Sequence, residues 1–172
     1  MRETETAGDG EPTDARTRIG MDDLLVRSVV ADDYDRWKPL WDGYNAFYGR
    51  SGETALPDPV TRTTWARFLD DAEPMHALVA VHGDELVGTA HYLFHRSTID
   101  IHPVCYLQDL FTDPAARGAG IGRALIEAVA ARAAEAGSGQ LYWRTHESNA
   151  TARRLYDQMA ANTGFLVYRT WL

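Results

Sequence analysis

The amino-acid sequence predicts an α/β domain with a mixed, mostly antiparallel sheet, one central parallel βαβ crossover and flanking helices. Three observations lead there. Residues 75–82 and 85–96 are apolar runs that meet at Gly83-Asp84, the pattern of a β-hairpin. Residues 104–112 and 140–145 are strand-like runs separated by a long alanine-rich stretch, and a strand–helix–strand connection is right-handed and pairs its strands in parallel. Aromatic residues recur at helical spacing near residues 34–48 and 58–69, which supplies helices to cover a sheet face.

The elements follow in order. Residues 1–20 are polar and aperiodic and read as a disordered acidic tail, with a single domain over 21–172. Residues 24–30 alternate and carry β-branched side chains, hence a first strand. Asp32 or Asp33 is placed to cap the next helix. That helix carries Tyr34, Trp37, Leu40, Trp41, Tyr44, Phe47 and Tyr48, and Pro39 within it predicts a kink or an interruption. A loop over 49–59 leads into a second helix over 58–69, then the hairpin, a loop over 97–102, and the strand 104–112 ended by Asp113-Pro114. A helix begins at Gly118 or Ala119 and runs to residue 136, where Gly137-Ser138-Gly139 stops it. Residues 140–145 form a strand, 148–160 a helix capped by Ser148 or Asn149, and 165–171 a final strand.

Composition narrows the function classes. The chain has 172 residues, 45% hydrophobic and 24% charged, an ordinary make-up for a water-soluble domain. A formal net charge of −8 argues against nonspecific nucleic-acid binding, which runs on Lys and Arg contacts to phosphate, and favours cationic partners. No run approaches the roughly 18 apolar residues of a membrane span, and no apolar signal core precedes residue 21. Cys105 is the single cysteine and reads as a small buried hydrophobe, so a cytoplasmic location is expected. Six histidines are present without a ligand spacing, so no metal is expected.

The chemistry concentrates at Arg117-Gly118-Ala119-Gly120-Ile121-Gly122, between the strand 104–112 and the alanine-rich helix. Glycines at alternate positions let a ligand approach the backbone, and amides at a helix N-terminus suit a phosphate or pyrophosphate. A dinucleotide fingerprint fails, because the sixth position from Gly118 is Arg123 and from Gly120 is Leu125. A nucleotide P-loop fails, because no Lys follows these glycines. A bare turn at a helix start is the alternative. The pattern that fits is [Q/R]-x-x-G-x-[G/A], met by Arg117, Gly120 and Gly122. It resembles the pyrophosphate loop of the GCN5-related N-acetyltransferases, which use acetyl-CoA and release CoA. The run Asn149-Ala150-Thr151-Ala152-Arg153-Arg154-Leu155-Tyr156 resembles the second signature of that family, N-x-x-A-x-x-x-Y. The likeness runs from about residue 24 to the C-terminus and is strongest toward the Hpa2-like and diamine acetyltransferases.

The resemblance implies cofactor contacts from Leu110, Phe111 and Thr112 on a splayed strand, from Arg117, Gly118, Ala119, Gly120, Ile121, Gly122 and Arg123, and from Asn149 and Tyr156. It implies an acid role for Tyr156: a phenol of pKa about 10 is protonated at neutral pH and can serve a departing thiolate. Core packing is the plainer reading of that tyrosine.

A base must also take a proton from the acceptor ammonium. Asp109 and Glu147 are the carboxylate candidates, with His146 beside the latter. Strand alternation sets a condition: if Gln108 faces the acceptor, Asp109 faces away. Diamine acetyltransferases carry a glutamate where this chain has Gln108, which puts a polyamine acceptor in doubt. Asp42, Tyr44, Tyr48 and Gln108 are candidates for the acceptor wall, although Trp37, Trp41, Tyr44 and Tyr48 have the spacing of a core-facing stripe and core is the reading for most of them. A strand histidine such as His91 is ordinarily a packing residue.

Direct acetyl transfer to a primary amine, small or on a basic protein, is the leading expectation. A non-catalytic acyl-CoA-binding module is the competing one. The final strand either closes its own sheet or pairs across a homodimer.

Overall fold

A computed structural model describes residues 23–172; the predicted tail lies outside the described residues. Five strands form one sheet in sequence order. They are β1 (Leu24–Ser28), β2 (Met75–His82), β3 (Glu85–His95), β4 (Val104–Thr112) and β5 (Gln140–Trp143). The first four pair antiparallel, and β4 pairs parallel with β5. The helices are α1 (Tyr34–Phe47), α2 (Asp58–Phe68), α3 (Ile121–Glu135) and α4 (Ala150–Met159). The mixed sheet with its βαβ crossover, β4–α3–β5, is therefore as the sequence predicts. Among the described residues, no helix is long and apolar enough to cross a membrane.

Each sheet face carries its own core, because alternate strand residues point to opposite faces. On one face α3 buries Ile121, Leu125, Ile126 and Val129 against Leu78, Ala90, Tyr92, Cys105 and Leu107, and Leu155 and Tyr156 of α4 pack beside them. On the other, α1 and α2 bury Trp37, Leu40, Trp41 and Trp65 against Ala77, Val79 and Phe111. Trp37 stacks on Trp41 at 5.7 Å and tilts against Trp65 at 4.7 Å. The helical spacing read in the sequence is thus chiefly a core stripe. The helix also comes close to the sheet at Gly43, where an added Cβ would sit 2.7 Å from the Phe111 ring.

Of the two outcomes Pro39 predicts, the interruption does not occur: α1 runs on through it; the residue removes one ladder bond, and tertiary burial of Trp37, Leu40 and Trp41 on either side holds the turn. Three expectations fail. Asp33 does not cap α1 with its side chain. It accepts from the Val30 amide at 2.9 Å and from Arg27 and Arg36, and the Arg27 hydrogen bond above all holds it below the usual carboxylate range. The 140–145 strand ends at Trp143.

Last, residues 165–171 form no strand. Phe165, Tyr168 and Trp171 are about nine-tenths exposed, at 91%, 90% and 85%. A strand needs a ladder partner, and in the single chain this segment finds none.

Strand β4 carries the feature on which the site depends. His91 pairs with Asp109 and the next residue, Tyr92, pairs with Leu107, so Gln108 is an extra residue in β4. Such a bulge re-aims the residues beyond it. Before it, Cys105 and Leu107 join the α3 core; after it, Phe111 joins the α1 core.

Candidate active site

Two cavities meet at the bulge. A groove of about 1030 Å³ runs along the outer end of β4, the α3 N-terminus and α4. A smaller cavity of about 500 Å³ lies between α1, α2, β3 and β4. Tyr44, Gln108 and Arg144 line both.

The groove is built mainly from backbone. The β4–β5 ladder ends at Leu107 and Trp143, so from Gln108 to Thr112 β4 has a strand neighbour on its β3 side only. Leu110, Phe111 and Thr112 line the groove along that unpaired edge. Gly118 and Gly120 adopt φ of 84° and 80°, left-handed values that an L side chain takes at a cost, and open space surrounds Gly118 where a Cβ would stand. Gly120 is the N-cap of α3 and has no side chain to satisfy the first amides of the helix. Arg117, Gly118, Gly120, Ile121, Gly122 and Arg123 all line the groove; Ala119 is not in its wall. Left-handed glycines leading into a bare helix N-terminus form a cradle for a pyrophosphate, so these residues fit the cofactor that the motif implies.

On the opposite wall, Asn149 caps α4, its side chain accepting from the Ala152 amide at 3.3 Å and donating to Thr145 Oγ1 at 3.2 Å. Two helical turns on, Tyr156 lines the same groove and packs edge-on against Trp143 at 5.5 Å. Burial, with a smaller contribution from the charge of Tyr48, pushes its phenol up to about 12. The phenol is therefore a hydrogen-bond donor throughout the neutral range.

The smaller cavity is built from side chains. Asp109, only 7% exposed, lies in its wall with Gln108 beside it. The alternation rule had set these two neighbours on opposite faces; the bulge brings both to one cavity, which corrects that expectation. Among the described residues Asp109 makes no ion pair with Lys or Arg; its side-chain partner is the ring Nδ1 of His91, at 3.1 Å. Burial first, and then the nearby Asp109 carboxylate, push the Tyr44 hydroxyl well above its ordinary range, so Tyr44 stays protonated in the cavity wall. Arg50, Arg144 and Arg169 also line this cavity. Arg50 is fixed by its Nε bond to Asn45 Oδ1 at 2.7 Å, and Arg144 by Nε and a terminal nitrogen on the Tyr106 hydroxyl at 2.9 and 2.7 Å.

Two of the candidates stand elsewhere. Asp42 is exposed and paired with Lys38 at 2.6 Å, outside both cavities. Glu147 is exposed and lines neither cavity, although its carbonyl accepts from Arg153. Tyr48 lines the cofactor groove rather than the smaller cavity. The sequence reading set His91 aside as a packing residue and missed Arg50 and Arg144. None belongs to a motif, and only the packed sheet shows them sharing a cavity. Among the described residues no cluster of three His, Cys, Asp or Glu side chains forms a metal site.

The profile of the acetyltransferase (GNAT) family matches residues 37–161. The chain belongs to that family. It is 34% identical over 150 residues to the D-amino-acid N-acetyltransferase HPA3 of Saccharomyces cerevisiae, covering 86% of this chain and 91% of that protein. It is 27% identical to the uncharacterized N-acetyltransferase YhfO of Bacillus subtilis, covering 84% and 95%. Among solved structures, the aminoglycoside N-acetyltransferase AAC(6')-Iy in complex with CoA superposes with a TM-score of 0.71 at 18% identity, covering 86% of this chain and 94% of that one. Within this family acetyl-CoA is the acetyl donor, and this GNAT chain is an acetyltransferase.

Proposed function

We propose that this acetyltransferase moves the acetyl group of acetyl-CoA directly to the primary amine of a small acceptor that also bears a carboxylate, an amino acid being the simplest such compound. One observation carries the reading: Asp109, a buried carboxylate without a Lys or Arg partner among the described residues, shares a 500 Å³ cavity with three guanidinium groups. The carboxylate suits an ammonium, and the guanidinium groups of Arg50 and Arg144 suit a carboxylate. A polyamine would set several ammonium groups against those arginines. The similarity to a D-amino-acid N-acetyltransferase supports the same acceptor class.

Bound acetyl-CoA supplies an activated acyl thioester. Asp109, directly or through a water, takes the proton that the acceptor ammonium must lose before attack. The amine nitrogen forms its bond to the acyl carbon as the carbon–sulfur bond breaks, and the second proton of that nitrogen passes through water to the departing thiolate, so the amide and the CoA thiol leave as neutral products. Amides along the unpaired edge of β4 are the donors available to the thioester oxygen. Tyr156 donates a hydrogen bond to the developing thiolate. A thiol has an ordinary pKa of about 8.5, so full transfer from a phenol held at about 12 is uphill, and the hydrogen bond is the contribution that counts. Cys105 lies in the α3 core, fully buried, with its thiol pushed up to about 11 by burial, so the route needs no acyl-cysteine.

The test is CoA release with purified protein across D- and L-amino acids, their carboxamides, spermidine and a lysine peptide. Turnover with an amino acid, reduced at least about tenfold for its carboxamide, is expected, since a charge-assisted hydrogen bond is lost. Preference for spermidine or the peptide overturns the acceptor class.

We also infer a homodimer in which the C-terminal segment of each copy covers its partner. The exposed Phe165, Tyr168 and Trp171 and the open outer edge of the four-residue β5 support it. Light scattering should give twice the chain mass, and removal of residues 165–172 should give the monomer.

A further inference from the structure

His91 has no place in the chemistry described so far, yet it connects the core to Asp109. It lies on β3, directly across the ladder from Asp109, and is 3% exposed. Its Nε2 is 3.0 Å from Trp37 Nε1, and an indole nitrogen only donates. Nε2 is therefore the acceptor nitrogen, and the neutral ring carries its proton on Nδ1. That Nδ1–H faces Asp109 Oδ2 at 3.1 Å. Thr89 Oγ1, 3.2 Å from Nε2, donates to the Leu78 carbonyl at 3.0 Å and so leaves the Trp37 bond to set the tautomer. The ring cannot turn freely: Phe68 packs at 4.6 Å and Trp41 at 5.2 Å.

We propose that His91 is a positioning residue, and that the chain Trp37–His91–Asp109 holds the Asp109 carboxylate in the orientation from which it accepts the proton of the acceptor amine. This rests on the reading of Asp109 as the base. The fully buried indole fixes the tautomer, the tautomer presents a donor, and the donor occupies Oδ2 while Oδ1 stays outside that bond. A buried histidine that merely fills space would need any one satisfied nitrogen. Here both nitrogens are committed, and the second commitment leads to the cavity wall.

The decisive spectrum is a two-bond proton–nitrogen correlation of the histidine rings in the labelled wild-type protein, with His91 assigned by its loss in His91→Asn. The Nδ1–H tautomer is expected, and the Nε2–H tautomer overturns the proposal. In kinetics, His91→Leu removes the donor, and kcat should fall about tenfold to a hundredfold, the cost of a misplaced catalytic group, while acetyl-CoA affinity stays within about twofold. His91→Asn restores an amide N–H near the Nδ1 position and should recover most of the loss. Equal impairment of the two variants, or wild-type kcat in His91→Leu, overturns the proposal.

If His91→Leu fails to fold, the tautomer and the His91→Asn rate decide. Asp109→Asn separates the two readings. Activity retained in Asp109→Asn sinks the base assignment itself. An inactive Asp109→Asn beside a fully active His91→Leu sinks the positioning chain alone. In the Asp109→Asn background, His91→Leu should cost no further kcat, because both changes act through one carboxylate.

Discussion

The groove proposed for the cofactor and the smaller cavity proposed for the acceptor adjoin at Gln108 but are made in different ways. The groove depends on backbone: two left-handed glycines, a helix N-terminus, an unpaired strand edge and one capped helix. The acceptor cavity depends on side chains drawn from α1, α2, three strands and the segment after β5. A backbone site tolerates change in its side chains and fails when a φ angle is lost. A side-chain site fails one functional group at a time. Substitutions should therefore separate into two sets, each sparing the neighbouring cavity.

The largest effect is expected at Asp109. Asp109→Asn should lower kcat/KM for the acceptor by about a hundredfold to ten-thousandfold, the range of a lost general base, with acetyl-CoA affinity by calorimetry unchanged. Tyr156→Phe should lower kcat about tenfold or more and leave the KM for acetyl-CoA near its wild-type value. Because its phenol is held at about 12, a group raised above its ordinary value, Tyr156 stays protonated as pH rises through 10. An alkaline limb in kcat below about pH 10 that disappears in Tyr156→Phe contradicts that assignment.

Arg50→Ala tests the acceptor side without touching the groove, since Arg50 lines only the smaller cavity. The acceptor KM should rise about tenfold for a carboxylated amine and hardly at all for its carboxamide. Gly120→Ala makes the converse change. A side chain at φ 80° costs about 1–2 kcal/mol, and the expected result is a raised KM for acetyl-CoA with an unaltered acceptor KM. An equal rise in both would erase the distinction between the two cavities. The smallest effect belongs to Cys105→Ala: kcat within about twofold, and a stability loss of about 1–2 kcal/mol by denaturant titration from the small cavity left in the α3 core.

Legibility in the sequence follows the same division. Arg117 to Gly122 and Asn149 to Tyr156 are contiguous runs, and their conformations are set by neighbours a few residues away, so the glycine loop and the capped helix could be read directly. The hairpin at Gly83-Asp84 was readable for the same reason, with Gly83 at φ 58° in the turn. The acceptor side was not. Period-two alternation allowed only one of Gln108 and Asp109 on the acceptor side, whereas the bulge brings both to one cavity, and the local sequence around Gln108 carries no sign of that extra residue. Asp42 and Tyr44 sit two residues apart on one helix, yet Asp42 pairs with Lys38 in solvent while Tyr44 lines both cavities. The apolar run 165–171 read as a strand, but in the single chain it joins no strand, and a ladder partner is not a property of the segment itself.

The sequence by itself determined the order of elements as far as α4, the parallel crossover at α3 and the left-handed glycines that open that helix. Each follows from periodicity or from consecutive φ choices, which are properties of short segments. Only the tertiary structure decided where β4 bulges, that His91 lies opposite Asp109 beneath Trp37, and which arginines share the cavity with that carboxylate. A one-residue shift in register costs little locally. It is settled by how well Cys105 and Leu107 pack on one face and Phe111 on the other, and that balance belongs to the assembled sheet and its helices.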